Sequence, residues 1–355
     1  MAFKELSSSA KAVFREGGVF VPSPLALDEN KKHHEAYQRL LTLYYIRSGA
    51  RAVIPGAHTG EFALNDLSLL DRWMGWIKEM TSHYGEYMVL FSMIGGKEVM
   101  KQAELAVKHN FDAVMIAPTA FGGQSEDGVI RLFEEIASAI PTFAFELQRA
   151  IPGSYPYTLR LWSGLFDIVY GAKGASFDTY RSLVMLEAAA RSARREELTL
   201  FTGNDDRIVA DLLGKYSFRT GTGTSVVNYH GGLLGHLATD TRAAVRWFQA
   251  IQRKKSTGKW NFELSGETLA HAVNRCNMEL FDALGNFENS VWGVKYRLAS
   301  LGLLPGPYCM HESGRKGQAG AIDKVYREYS MLSDDNYLAE QLESLKREVG
   351  IKATA

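Results

Sequence analysis

The chain has 355 residues, 46% apolar and 23% charged, and its 40 Lys+Arg balance its 40 Asp+Glu. This is an average globular composition, which excludes a disordered, collagen-like or coiled-coil chain. Zero net charge with interspersed signs leaves no basic footprint for nucleic acid or anionic lipid, and two cysteines, Cys276 and Cys309, exclude a disulfide framework and a thiolate metal site.

The N-terminal stretch MAFKELSSSAKAVF lacks the apolar core of a signal peptide, and no run reaches the ~18 apolar residues needed to span a bilayer. A reducing, cytoplasmic location without membrane or nucleic-acid partners is the expectation. Short apolar runs rich in β-branched residues, each followed by a stretch of helical spacing, predict strands over 18–22, 50–57, 88–94, 112–118, 142–147, 168–173, 198–204 and 219–228. Helices are predicted over 35–48, 67–82, 98–109, 126–139, 179–194 and 206–215, with a short, poorly defined connection at 157–164. The basic run Arg191 to Arg195 is followed at once by Glu196 and Glu197 and reads as a solvated helix end. Beyond Asn228 the pattern is helical, over 241–254, 265–287, 290–301 and 324–349, interrupted by a Gly-Pro segment at 302–307.

Runs that are apolar on both faces fit parallel strands covered by helices. Eight such units make the expected fold α/β, a (β/α)8 TIM barrel over residues 1–235 with a C-terminal helical extension, 236–355, packed on it. The rival, an open doubly wound sheet, would place a GxGxxG turn after the first strand, where this chain has Pro22, Ser23 and Pro24.

In such a barrel the chemistry lies where the strands end. Lys173 closes an apolar run, IVYGAK, where desolvation would lower its pKa and free the amine for imine formation with a ketone; the alternative is a lysine that only balances Asp205 or Glu146. The Gly-rich turn carrying His58, Thr59 and Glu61 offers N–H groups, a hydroxyl and an imidazole to a carboxylate; the alternative is a tight βα turn with Glu61 as a helix-start residue. Glu146 and the pair Asp205 and Asp206 also stand where runs end; read from the residues alone, Glu146 is a partner of Lys173 or Arg149 and the two aspartates are caps of the next helix. His33, His34, His109, His230 and His236 have no metal-ligand spacing, and no haem, flavin or nucleotide motif occurs, so no cofactor or metal is expected.

Taken together, VFVPSPLALD, GAHTGE, the pair Gly95 and Gly96, IVYGAKGAS, TGNDD, GTGTSVV and VKYRLASLGLLPGP resemble, in order and spacing, the dihydrodipicolinate synthase and N-acetylneuraminate lyase family over residues 17–307. The resemblance implies a (β/α)8 barrel assembling as a homo-oligomer, a dimer or tetramer, and lyase chemistry on a 2-oxo acid such as pyruvate, or a sugar-acid-derived 2-keto-3-deoxy acid, with an aldehyde partner. It implies Lys173 as the imine lysine, His58 and Thr59 as ligands of the 2-oxo acid carboxylate, and Asp205 and Asp206 as readers of substrate hydroxyls, with Thr224, next to Gly223, as a hydroxyl partner. The family's catalytic tyrosine aligns with Phe145, and Phe121 stands where its tyrosine pair would lie. Phenylalanine transfers no proton, which leaves Glu146 and His58 as the candidate acid–base groups. The synthase arginine aligns near Arg149 and Ala150 without a clear match, which disfavours a synthase proper. Two other readings stay open: a barrel that binds a 2-oxo acid without turnover, and a hydratase-aldolase whose aromatic substrate packs on Phe121 and Phe145.

Overall fold

The computed structural model describes residues 3–61, 65–85, 88–149, 151–221 and 223–352; Ala150 and Thr222, part of the sequence reading, lie outside the described residues. Eight strands form one sheet in the order β2-β1-β10-β7-β6-β5-β4-β3. They are β1 (Gly18–Pro22), β2 (Ala52–Ile54), β3 (Phe91–Ile94), β4 (Ala113–Ile116), β5 (Thr142–Leu147), β6 (Gly171–Ala175), β7 (Thr199–Thr202) and β10 (Gly231–Leu233). Helices follow the strands: α2 (Glu35–Ser48), α3 (Leu67–Tyr84), α4 (Val99–Lys108), α5 (Glu126–Ala137), α6 (Leu159–Phe166), α7 (Thr179–Arg191) and α8 (Ile208–Leu213). The parallel pairing and alternating helices make a (β/α)8 barrel, followed by α9 (Thr241–Thr257), α10 (Gly266–Leu280), α11 (Ser290–Ser300), α12 (Gln318–Glu328) and α13 (Asp335–Glu348). Among the described residues no helix is long and apolar enough to cross a membrane.

The sequence reading needs correction at several elements. The run 219–228 is not the eighth barrel strand. Together with 216–218 it forms an antiparallel hairpin, β8 (Tyr216–Thr220) and β9 (Gly223–Val227), packed on α7. Its burial alternates along both strands, the mark of a sheet with one solvated face. The true last strand, β10, is two glycines and a leucine, too short and too poor in β-branched residues to register as a run. An unpredicted helix, α1 (Ser8–Glu16), precedes β1; the Ser7 hydroxyl caps it by accepting from the Ala10 N–H at 3.1 Å. Within 157–164, residues 159–164 lie in α6, with Thr158 as its N-cap, and 324–349 spans the end of α12 and α13, parted by a turn at Ser330–Leu332.

The chain divides into two compact units. In the first (Met1–Gly18, Leu64–Lys78 and Val89–Leu233), Phe91, Phe143 and Phe201 come from β3, β5 and β7, alternate strands contributing one interior layer as barrel packing requires. Phe14 of α1 closes that layer, its ring centroid 5.2 Å from Phe91 and 4.7 Å from Phe143. Where the first strand meets the last, side chains are excluded: a Cβ on Gly17 would lie 1.8 Å from the His230 carbonyl oxygen, and one on Gly231 would lie 2.4 Å from that of Gly18.

In the second unit (Val19–Ala63, Glu79–Met88 and Leu234–Ala355) the start of α13 holds the start of α9. The Asp334 carboxylate accepts the N–H groups of Arg242 (2.9 Å) and Ala243 (2.8 Å) and the Tyr44 hydroxyl (2.6 Å), satisfying donors that a helix start leaves open. Beside it, Asp240 is paired with Arg297 at 2.7 Å.

Candidate active site

Strand alternation decides what Lys173 faces. In the parallel register Phe145 lies opposite Lys173, which lies opposite Phe201, so these three share the interior face, while Glu146 and Gly174 share the other. Lys173 is 8% exposed, and its Nζ sits 4.2 Å from the Phe145 ring centroid. Its stem passes over Gly203, where a Cβ would lie 2.4 Å from Lys173 Cε. Burial of the ammonium among apolar groups lowers the Lys173 pKa, and the Asp205 carboxylate acts against that shift. Burial raises the Asp205 carboxyl, with Lys173 opposing and Asp206 adding to the rise. The two shifts run toward each other, the amine drawn down and the acid drawn up, as at sites built for proton movement.

The turn after β7 is fixed by Asn204, which is fully buried. Its amide nitrogen donates to Asp211 (2.9 Å) and Ser182 (3.2 Å), and its carbonyl accepts the Phe177 N–H (3.0 Å) from the turn after β6. Thr202 (2.7 Å) and Tyr216 (3.2 Å) also donate to Asp211. One asparagine therefore ties the turn that follows Lys173 to the turn that carries Asp205. Asp205 is half-buried and Asp206 exposed. Neither takes the N-cap of α8, which is Arg207.

Several sequence-predicted residues sit elsewhere. Glu146 is buried on the opposite face of β5 from Phe145, and Arg181 of α7 donates to its Oε1 at 3.2 Å. The alternation that puts Lys173 with Phe145 removes Glu146 from the amine, and its partner is Arg181 rather than Lys173 or Arg149. Burial, reinforced by Asp178, pushes the Glu146 carboxyl up to about 7, opposed by Arg149; the Arg181 contact favours its ionised form. Gly223 and Thr224 lie on the exposed part of the hairpin, not at the end of a barrel strand. Phe121 is fully buried, ringed by Phe133 (6.0 Å), Tyr155 (5.3 Å) and Tyr157 (6.2 Å).

The sequence reading missed Tyr157, whose hydroxyl donates to the Phe145 carbonyl oxygen at 2.8 Å, as well as Arg181, Gly203 and the linking role of Asn204. Only the closeness of Tyr155 and Tyr157 to Phe145 along the chain pointed to the tyrosines. In the second unit, His58 and Thr59 open a 3-10 turn after β2, and the Thr59 hydroxyl donates to the Pro22 carbonyl oxygen at 2.7 Å.

No known family profile and no curated protein sequence matches the chain. Solved structures do. The dihydrodipicolinate synthase of Acinetobacter baumannii complexed with pyruvate aligns at a TM-score of 0.71 and 14% identity, over 89% of this chain and 99% of that one. The synthase of Bacteroides thetaiotaomicron aligns at 0.69 and 15%, over 88% and 98%. The N-acetylneuraminate lyase of Mycoplasma synoviae aligns at 0.66 and 15%, over 88% and 98%. The chain thus has the (β/α)8-barrel fold of the dihydrodipicolinate synthases and N-acetylneuraminate lyases, the family that its sequence motifs resemble.

Proposed function

We propose that the protein is a lyase of the class I aldolase or dehydratase type, acting on a 2-oxo acid through an imine on Lys173. The observation that carries this is the placement of one desolvated amine on the interior face of β6, against the Phe145 ring and within the field of the Asp205 carboxylate. The Lys173 amine adds to the C2 carbonyl of the 2-oxo acid, and loss of water leaves the protonated imine. That cation accepts the electron pair released when a bond at C3 breaks, either C–H or C–C. The motif resemblance, and the pyruvate present in the synthase from Acinetobacter baumannii, support a 2-oxo acid as substrate.

His58 and Thr59 hold the substrate carboxylate. Because the Thr59 hydroxyl proton is committed to Pro22, Thr59 meets the carboxylate through its backbone N–H. Proton movement at the imine falls to Asp205, since Phe145 has no acidic proton and Glu146 lies across the strand with Arg181. Asp206, exposed at the same strand end, suits a hydroxylated substrate. The working assembly is a homo-oligomer.

Borohydride reduction in the presence of pyruvate tests this reading. Peptide mass spectrometry should find the reduced adduct on Lys173 in the native protein and none in Lys173→Ala. Because burial lowers the Lys173 pKa, the trapping rate should rise through a midpoint well below the ordinary lysine value of about 10.4. A folded protein giving no adduct with pyruvate or other 2-oxo acids would overturn the proposal.

A further inference from the structure

The turn that carries His58 and Thr59 ends in a conformation that few side chains adopt. Glu61 closes it with φ +52°, in the left-handed region, where a Cβ crowds the following carbonyl and glycine is the usual occupant. Two backbone bonds hold the turn itself, Gly60 N–H to Ala57 O and Glu61 N–H to His58 O, both 2.9 Å. They do not account for a glutamate at this position.

The Glu61 side chain does. It is 7% exposed, and it pairs through Oε1 with the Nζ of Lys295, which projects from α11 and is fully buried. Lys295 also donates to the Tyr308 carbonyl oxygen at 2.8 Å. The Met310 N–H donates to Glu61 Oε2 at 2.6 Å, and Lys31 donates to the Met310 carbonyl oxygen at 2.9 Å. Two residues further on, the Glu312 carboxylate accepts the Trp292 N–H at 2.7 Å in the first turn of α11. Both Glu61 oxygens are thus occupied by groups from outside the turn, one from α11 and one from the segment that follows the Gly-Pro stretch. A buried ion pair with its remaining bonds satisfied fixes geometry more than it adds stability, and strained backbone persists where its surroundings over-determine it.

We infer that Glu61, Lys295 and the 308–312 segment form a strap that positions the His58–Thr59 turn for the 2-oxo acid carboxylate. Glu61 and Lys295 are positioning residues: neither needs to touch the substrate, and the effect passes through the backbone of the turn. The inference rests on the proposed imine chemistry, and it gives the tail beyond Pro307 a part in substrate binding.

The test reads pyruvate dependence of borohydride trapping on Lys173, together with hydrogen exchange of the amides at 56–61. Lys295→Met should raise the half-saturating pyruvate concentration about tenfold or more, as a displaced binding group does, while the trapping rate at saturation stays within about twofold. Exchange at 56–61 should quicken. Since Lys295→Met leaves a buried carboxylate unpaired and can fail to fold, Glu61→Gln/Lys295→Met serves as the uncharged pair. It should fold and show the same rise. Met310→Pro, which removes the N–H donor but also fixes φ at 310 and restrains residue 309, should give a smaller rise in the same direction. Native trapping with unchanged half-saturation in the folded variants overturns the strap alone. Absence of trapping in the native protein overturns the imine reading and this inference with it.

Discussion

A Cβ on Gly203 would sit 2.4 Å from Lys173 Cε and 2.7 Å from Ala175 Cβ, so a side chain there would push the Lys173 stem off its present path. The amine therefore owes its path to a missing side chain one strand away. Gly203→Ala should fold, at an overpacking cost of about 1–3 kcal/mol, and should slow borohydride trapping on Lys173 roughly 100-fold; trapping at the native rate would show that the lysine stem is not held there. Arg181 provides a second test. Removing it as Arg181→Met leaves Glu146 buried and ionised above neutrality, an expected loss of about 3 kcal/mol at pH 8. A carboxyl raised above its unfolded value of about 4.3 to about 7 binds more protons folded than unfolded across that window, so stability falls as pH rises through it. Urea denaturation should therefore find a smaller loss at pH 5.5 than at pH 8, whereas equal losses would show that Arg181 acts by packing alone. Lys173 was legible in the sequence because a lone cation interrupts an apolar run. Glu146 was misread because position near a strand end was weighed without its face.

At the scale of elements, the barrel strands were legible where both faces are buried, as in β3 and β4, whose every residue is buried. What was not legible depended on neighbours far along the chain. β10 is a strand by virtue of the sheet it joins, and GTGTSVV, which resembles the family's last strand, instead builds a hairpin over α7. That misplacement carried Gly223 and Thr224 out of the site. The helix α1 escaped notice because only Ala10 and Phe14 of its nine residues are buried. Its importance nonetheless rests on one of them. Phe14→Ala should open a cavity against Phe91, Phe143 and Phe201 and lower unfolding stability by about 3–5 kcal/mol, measured as a fall in the urea midpoint. A loss under 1 kcal/mol would mean that α1 does not help to close the barrel's aromatic layer.

For the whole molecule, composition and the succession of βα units sufficed to reach the barrel and its helical extension, because a parallel sheet with helices on its outer face admits few arrangements. Of the proposed site, only the buried lysine and the acidic turn were legible. Asn204, Arg181, Lys295 and Met310 act through partners 27 to 249 residues away in sequence, and no local pattern announces such pairings. The glycine contact between the first and last strands has a different consequence, in the order of folding. Gly18 and Gly231 meet across more than two hundred intervening residues and bring no side chains to the contact, so closing it carries the full loop-closure entropy with little apolar burial of its own in return. The seam should thus be the last part of the barrel to form and the first to open, and amides along Gly231–Leu233 should gain exchange protection later in refolding than those of β4 and β5.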